Sequence, residues 1–91
     1  MIDYYGFRKY LMDRYSGRVP GNILSRLTRL EHLMKCDFEK EWEKDELESV
    51  KNRFNDNSYI CSVLKMDPKS YQKNIYKHSL NRYIDFKTDM S

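Results

Sequence analysis

The side chains that could do chemistry in this chain are few, and the closest pairing among them is His32 with Cys36. A spacing of four residues places the two on the same flank of a helix, where an imidazole could act as a base toward a thiol. A nucleophile of this kind also needs an orienting group and a pocket, and the sequence identifies neither. His78 lies 46 residues beyond His32, so the two histidines do not form a metal-binding cluster.

The carboxylates of residues 39–48 are the next candidates, because paired acids can act as general acid and base. Here they alternate with lysines, a pattern that favours a solvated helix surface. The chain also contains neither a glycine-rich phosphate loop nor an HExxH zinc pattern. We therefore expect no enzymatic activity, no metal site and no cofactor.

The cysteines and the apolar runs indicate the cellular compartment. Cys36 and Cys61 are too few for a disulfide framework and lack CxxC spacing, so we interpret both as buried or half-buried thiols. Asp3, Arg8 and Lys9 interrupt the stretch where a secretory signal would be apolar. No apolar run approaches the roughly 18 residues of a membrane span. We expect a cytoplasmic protein that does not contact membranes.

Composition favours a small helical domain. Hydrophobic residues make up 40% and aromatic residues 14% of the chain, which argues against disorder although 34% of residues are charged. Three glycines and two prolines are fewer breakers than the turns of an all-β domain would require. We predict one all-α domain over residues 1–91, a small bundle of four to five helices.

A first helix is predicted within residues 2–15, because apolar residues recur there every three or four positions. They share one face of the helix: Tyr4, Phe7, Leu11 and Tyr15. We expect this helix to end near Ser16–Gly17, since glycine tolerates the left-handed terminal conformation. Pro20–Gly21 is then predicted to form a turn.

A second helix is predicted from Asn22, as its cap, to Cys36. Four apolar side chains fall within about 60° of arc at 100° per residue: Ile23, Leu27, Leu30 and Met34. The opposite face holds no acid and contains Ser25, Thr28, Arg29, His32 and Lys35, with Arg26 at its edge. Such a strip of hydroxyls and positive charges is compatible with phosphate contacts, and equally with simple solvation.

The next helix is predicted to begin at Asp45, whose side chain can cap it with Glu48 three residues on. Its apolar stripe is Leu47, Val50 and Phe54. The turn-forming residues Asn-Asp-Asn at 55–57 are expected to end it. Residues 58–65 fit either a short helix or a strand, and we prefer the helix.

The last helix is predicted to begin at Asp67–Pro68, a cap followed by proline at the first helical position. Its apolar residues spread over a broad arc: Tyr71, Ile75, Tyr76, Leu80, Tyr83, Ile84 and Phe86. This helix either contacts neighbours on two sides or breaks near His78–Ser79.

Charge is divided along the chain. Residues 1–36 carry seven Lys and Arg against three Asp and Glu, residues 37–57 four against eight, and residues 58–91 six against three. The resulting +4, −4 and +3 sum to the formal net charge of +3. Basic flanks around an acidic centre can mark a side that faces nucleic acid, or ordinary surface charge.

An F..YL pattern in the first helix, a short Ser-Gly turn, and an L..Y..F pattern in the last helix carry a family resemblance. The matching residues are Phe7, Tyr10, Leu11, Ser16, Gly17, Ile23, Leu27, Leu30, Leu80, Tyr83 and Phe86. Together they resemble the SAM-like N-terminal core-binding domain of tyrosine recombinases and phage integrases. The chain departs from that pattern at Val19–Gly21, an insertion, and at Asn22, where the family usually has Ser or Thr.

The resemblance implies a half-clamp around duplex DNA, formed by basic helix faces, and an origin in a phage or other mobile element. Catalysis in that family belongs to a separate domain with an Arg, His and Tyr constellation, which we do not find in this sequence. The residues nominated for nucleic-acid binding are Arg18, Arg26, Arg29, Lys35, Lys73, Lys77 and Arg82. Some of the eight tyrosines could add stacking.

The alternative is a small inhibitor or adaptor that binds protein, similar in type to phage anti-CRISPR proteins. Its acidic, aromatic-bearing side would face a basic protein surface. The residues of that side are Phe38, Glu39, Glu41, Trp42, Glu43, Asp45 and Glu46. Homodimerisation through the broad apolar arc of the last helix is compatible with either function.

Overall fold

The structure is a computed structural model that describes residues 1–65 and 72–90. Within these ranges it consists of six α-helices and has no strand. They are Tyr4–Arg14 (α1), Val19–Met34 (α2), Phe38–Asp45 (α3), Glu48–Asn55 (α4), Asn57–Leu64 (α5) and Gln72–Met90 (α6). The prediction of an all-α fold is confirmed, but four to five helices is too few. None of the described helices is long and apolar enough to cross a membrane.

Helix α1 is capped by Asp3, whose carboxylate accepts a hydrogen bond from the Gly6 backbone N–H at 3.1 Å. It buries Phe7 and Leu11 as predicted and ends at Arg14, just before Gly17 in the left-handed region at φ +66°. Tyr4 belonged to the predicted apolar stripe but is 43% exposed. The first turn of α1 therefore presents this ring to solvent.

Helix α2 begins at Val19, three residues before the predicted Asn22, so the predicted turn at Pro20–Gly21 is wrong. Proline is tolerated in the first helical turn, because no backbone N–H is needed there. The helix ends at Met34, and Lys35 follows in the left-handed conformation at φ 54°. The predicted inward stripe is confirmed, since its four residues are all buried: Ile23, Leu27, Leu30 and Met34.

The acidic part of the chain, residues 37–57, contains the two helices α3 and α4. Asp37 caps α3 by accepting from the backbone N–H groups of Glu39 at 3.0 Å and Lys40 at 3.3 Å. Two consecutive residues, Glu46 and Leu47, then adopt left-handed conformations at φ 57° and 66°, which breaks the helix. The predicted cap residue Asp45 does accept from the Ser49 N–H at 3.1 Å, but α4 begins later than predicted, at Glu48.

Asp56 separates α4 from α5 and accepts a hydrogen bond from the Tyr59 N–H at 3.2 Å, as the cap of α5. The helical interpretation of residues 58–65 is confirmed, since α5 runs through Leu64. Helix α6 continues without a break through His78–Ser79. Its predicted start at Asp67–Pro68 lies outside the described residues.

The core lies where α6 packs against α1, α2 and α5. Three aromatic rings meet there: Phe7 lies edge-on to Tyr83 with ring centroids 5.0 Å apart, and Phe86 lies 5.4 Å from Phe7. Aromatic pairs at such distances add to the stability gained by burying their area. They hold α6 against the inner face of α1.

Glu31 on α2 is a buried acid, only 8% exposed. Its carboxylate accepts hydrogen bonds from the backbone N–H groups of Ile2 at 3.4 Å and Phe38 at 2.8 Å. Because Ile2 precedes α1 and Phe38 is the first residue of α3, this one side chain connects three helices.

Tyr83 on α6 is a second buried connection. Its hydroxyl accepts from the Asp3 backbone N–H at 3.1 Å and donates to the Glu39 carboxylate. Glu39 also accepts from Lys87 Nζ at 2.8 Å. Burial raises the pKa of Tyr83, and the hydrogen bond to Glu39 raises it further, so the hydroxyl keeps its proton.

Replacing Glu31 with alanine would leave two backbone N–H groups without their acceptor. Leaving one buried group unsatisfied costs about 1–3 kcal/mol, so we expect Glu31→Ala to lower the free energy of unfolding by about 2–4 kcal/mol. Urea denaturation followed by far-UV circular dichroism measures this change. The control is Glu43→Ala, an exposed acid on α3, with an expected change under about 0.5 kcal/mol. Equal losses in the two variants would contradict the structural role of Glu31.

The Glu39 contacts predict a dependence of stability on pH. Burial acts to raise the pKa of Glu39, but hydrogen bonds from Lys87 and Tyr83 outweigh it and leave the pKa below its ordinary value. Such a carboxyl stabilises the fold above its unfolded pKa of about 4.3, and this contribution is lost as pH falls through the lower, folded pKa. We expect Tm to fall between about pH 5 and pH 3, and to fall less in Glu39→Gln. Parallel pH profiles of the two proteins would exclude this contribution.

Candidate nucleic-acid interface

The outward face of α2 is the candidate interface, and the buried side of the same helix fixes its direction. Leu27 and Leu30 have no exposed surface, which sets the rotation of α2 about its axis. At 100° per residue the opposite face is then directed to solvent. Its exposed residues are Arg18, Asn22, Ser25, Thr28, Arg29, His32 and Lys35. Arg26, at the edge, is half-buried.

The cations of this face have no acidic partner among the described residues. None of Arg18, Arg29 and Lys35 forms a side-chain ion pair or hydrogen bond within residues 1–65 and 72–90. The single acid of α2, Glu31, is only 8% exposed, and its carboxylate accepts from two backbone N–H groups and pairs with the Met1 amino group at 3.6 Å. The face therefore keeps its positive charge available to an external anion.

Arg82, also nominated from the sequence, lies on α6 in a different setting. Its guanidinium pairs with Asp85 at 2.9 Å and donates to the Tyr15 hydroxyl at 3.5 Å. The hydrogen bond to Tyr15 raises the pKa of Arg82. Arg82 thus links α6 to the end of α1 and is not grouped with the cations of α2.

Lys73 and Lys77 form a third group, on the first half of α6. Lys73 donates a hydrogen bond to the Asn57 side chain, and Lys77 is exposed. Both line a cleft of about 290 Å³ with Phe54 and Asn74. The seven predicted residues are therefore divided among α2, this cleft and the Arg82 contact.

An open groove of about 630 Å³ runs between the start of α1 and the outward face of α2. Its lining residues are Tyr4, Ser25, Thr28, Arg29 and His32. Tyr5, 82% exposed, lies beside Tyr4 with ring centroids 5.6 Å apart and planes at 84°. Tyr4 was predicted to belong to the apolar stripe of the core, whereas Tyr5 lies outside that stripe. Adjacent residues of a helix point about 100° apart, so Tyr4 and Tyr5 cannot both face the core. Their adjacency in the sequence is therefore a signal that at least one of the two rings is exposed.

His32 and Cys36 line a neighbouring groove of about 610 Å³ together with Thr28, Lys35 and Asp37. Burial raises the pKa of the Cys36 thiol, and the nearby Arg53 only partly offsets this effect. A thiol with a raised pKa is protonated at neutral pH, the opposite of an activated nucleophile. The described residues contain no group of three or more side chains that could hold a metal ion.

The residues of the acidic, aromatic-bearing side are mostly used inside the fold. Phe38, predicted to be an exposed anchor, is fully buried because the start of α3 is fixed against Glu31. Glu39 pairs with Lys87, and Glu41 accepts from the Ser49 hydroxyl at 3.3 Å.

The remaining members of that side present a small surface. Asp45 accepts a hydrogen bond from the Ser49 backbone N–H, and Trp42 is half-buried and packs against the core. Glu43 and Glu46 are exposed. The acidic surface open to a partner is therefore smaller than the sequence predicted.

Comparisons with protein-family models, curated proteins and solved structures found no significant match for this chain. The integrase resemblance accordingly rests on the residue pattern alone.

The Cys36 environment predicts slow thiol chemistry. Because the thiolate is the reactive species, a raised pKa lowers its fraction at neutral pH. We expect alkylation of Cys36 by iodoacetamide at neutral pH to be several-fold slower than that of an unstructured cysteine peptide, and to accelerate above pH 9. Peptide mass spectrometry measures Cys36 separately from Cys61. A rate at neutral pH above that of the peptide would instead indicate an activated thiol.

Proposed function

We propose that this chain is a non-catalytic nucleic-acid-binding module that contacts phosphates through the outward face of α2. The observation that carries the proposal is the set of exposed cations on that face, which have no acidic partner among the described residues. Phosphate contacts of Lys and Arg supply most sequence-independent affinity for nucleic acid.

The spacing of the cations along α2 suits a phosphate backbone. Arg18 and Arg29 lie eleven residues apart, which at 1.5 Å per residue is roughly 16 Å along the helix axis. Lys35 extends the row beyond the last turn. Ser25 and Thr28 add hydroxyls, which commonly donate to phosphate oxygens. Several phosphates could therefore be contacted at once.

The protein-binding alternative receives less support from the structure. It required Phe38 as an exposed anchor together with the acids of α3, but Phe38 is buried and Glu39 is paired with Lys87. Hot spots at protein interfaces are enriched in Trp, Tyr and Arg side chains that become buried on binding, whereas Phe38 is already buried in the fold. We therefore propose nucleic acid as the partner.

The first test is fluorescence anisotropy of labelled DNA, titrated at several salt concentrations. We expect the logarithm of the affinity to fall linearly with the logarithm of salt concentration, with a slope of about three or more. The double variant Arg18→Gln with Arg29→Gln should weaken binding and reduce that slope by about two, since each removed phosphate contact contributes about one.

The control is Lys40→Gln with Lys44→Gln, which removes the same charge from exposed positions of α3. It should leave the slope unchanged. Absence of binding at low salt, or equal effects of the two double variants, would contradict the proposed interface.

A further inference from the structure

We propose that the α2 interface prefers single-stranded nucleic acid and binds one unpaired base in the groove between Tyr4 and the side chains of Arg29 and His32. This inference rests on the proposed function, because it assumes that the phosphates lie along α2. It adds the strandedness of the ligand and the residues that select it.

The lining of the groove carries this inference. One wall is the Tyr4 ring, and the α2 side contributes the Arg29 guanidinium and the His32 imidazole, two further flat groups. Unpaired bases in protein complexes stack on aromatic side chains, histidine rings and guanidinium planes. The groove therefore brings together three side chains of the kind that binds the face of a base.

The exposure of the tyrosines is the second observation. Tyr5 is 82% and Tyr4 43% exposed, while Met1 beside them is 77% exposed. These residues line one connected surface, since Met1, Tyr4 and Tyr5 share a second groove of about 300 Å³ with Ile2, Thr28 and Glu31. The Glu31 carboxylate there accepts from two backbone N–H groups and lies 3.6 Å from the Met1 amino group. A grouped apolar surface next to unpaired cations is the composition of single-strand binding sites, where a charged track follows the backbone and rings stack on bases.

A duplex cannot use this surface in the same way. Its bases are paired and stacked on one another, so their faces are closed to a side chain unless a base is flipped out. Only its phosphates would reach Arg18, Arg29 and Lys35, and the exposed rings would gain nothing. A single strand can engage both parts of the interface, and we infer that it binds more tightly.

Substitutions at Tyr4 and Tyr5 distinguish the contribution of ring stacking to binding from the contribution of charge. Tyr4→Leu and Tyr5→Leu remove a ring but no charge, whereas Tyr4→Phe and Tyr5→Phe keep the ring. Met12→Ala serves as a control that shortens another exposed apolar side chain of α1. Tyr4→Leu tests the groove itself, and Tyr5→Leu tests the ring beside it on the connected surface. His32→Leu removes a second flat side chain of the groove from an exposed position, which keeps the test decisive if Tyr4→Leu lowers Tm.

The experiment is an anisotropy titration with a fluorescein-labelled single strand of about 20 nucleotides and with the same strand annealed to its complement. We expect the single strand to bind more tightly, and a leucine substitution to weaken that binding by about fivefold or more with an unchanged salt slope. Duplex binding should not change in the leucine variants. The phenylalanine variants and Met12→Ala should bind both probes like the wild type.

Three other outcomes of this titration would contradict the stacking inference, the phosphate interface, or both. If the duplex binds as tightly as the single strand and the leucine variants have no effect, the stacking inference is wrong while the α2 phosphate interface remains. If leucine and phenylalanine variants lose affinity equally, the hydroxyl and not the ring makes the contact, and stacking is again wrong. If neither probe binds at low salt, both proposals are wrong.

Discussion

The buried carboxylate of Glu31 is the interaction on which the arrangement of this protein depends. A carboxylate removed from water is tolerated only when its oxygens accept hydrogen bonds, and here they accept from Ile2 and Phe38. Because Glu31 must face inward, its helix cannot rotate without breaking both bonds. The same constraint directs Arg29 and His32 outward, so the buried acid determines the surface that the protein presents.

Tyr83 on α6 holds the same segment through a second hydrogen bond. It binds the Asp3 N–H, one residue beyond the N–H that Glu31 binds, so the start of α1 is fixed to both α2 and α6. Tyr4 and Tyr5 follow directly in the chain. The Tyr4 ring is thereby positioned at the groove beside α2 before any ligand arrives. A site whose walls are already positioned loses less conformational entropy on binding, which favours affinity.

The sequence predicts structural features that depend on residues close together in the chain, such as the faces of a helix. It does not predict features that depend on contacts between residues far apart in the chain. The inward stripe of α2 follows from a period of 3.6 residues, and the same period places Ser25, Arg29 and His32 outward. The start of α2 was mispredicted because Pro20 can either begin a helix or end one, and local pattern does not decide between them. The break at Glu46–Leu47 uses left-handed residues other than glycine, which carry no sequence signal. The groove beside Tyr4 lies next to contacts between residues distant in the sequence, since Ile2 bonds to Glu31, 29 residues away, and Asp3 bonds to Tyr83, 80 residues away.

The pairing of acids within the fold explains how a chain with nearly balanced charge can present a basic face. On α6, Arg82 and Lys87 are neutralised by Asp85 and Glu39. Glu41 on α3 lies 4.0 Å from Arg53 on α4, so an acid of residues 37–57 is also paired within the fold. The single acid of α2 is bonded to two backbone N–H groups and pairs with the Met1 amino group at 3.6 Å. Charge that is paired contributes little to the external field, whereas the cations of α2 contribute fully. The net charge of +3 therefore understates the local potential along that helix.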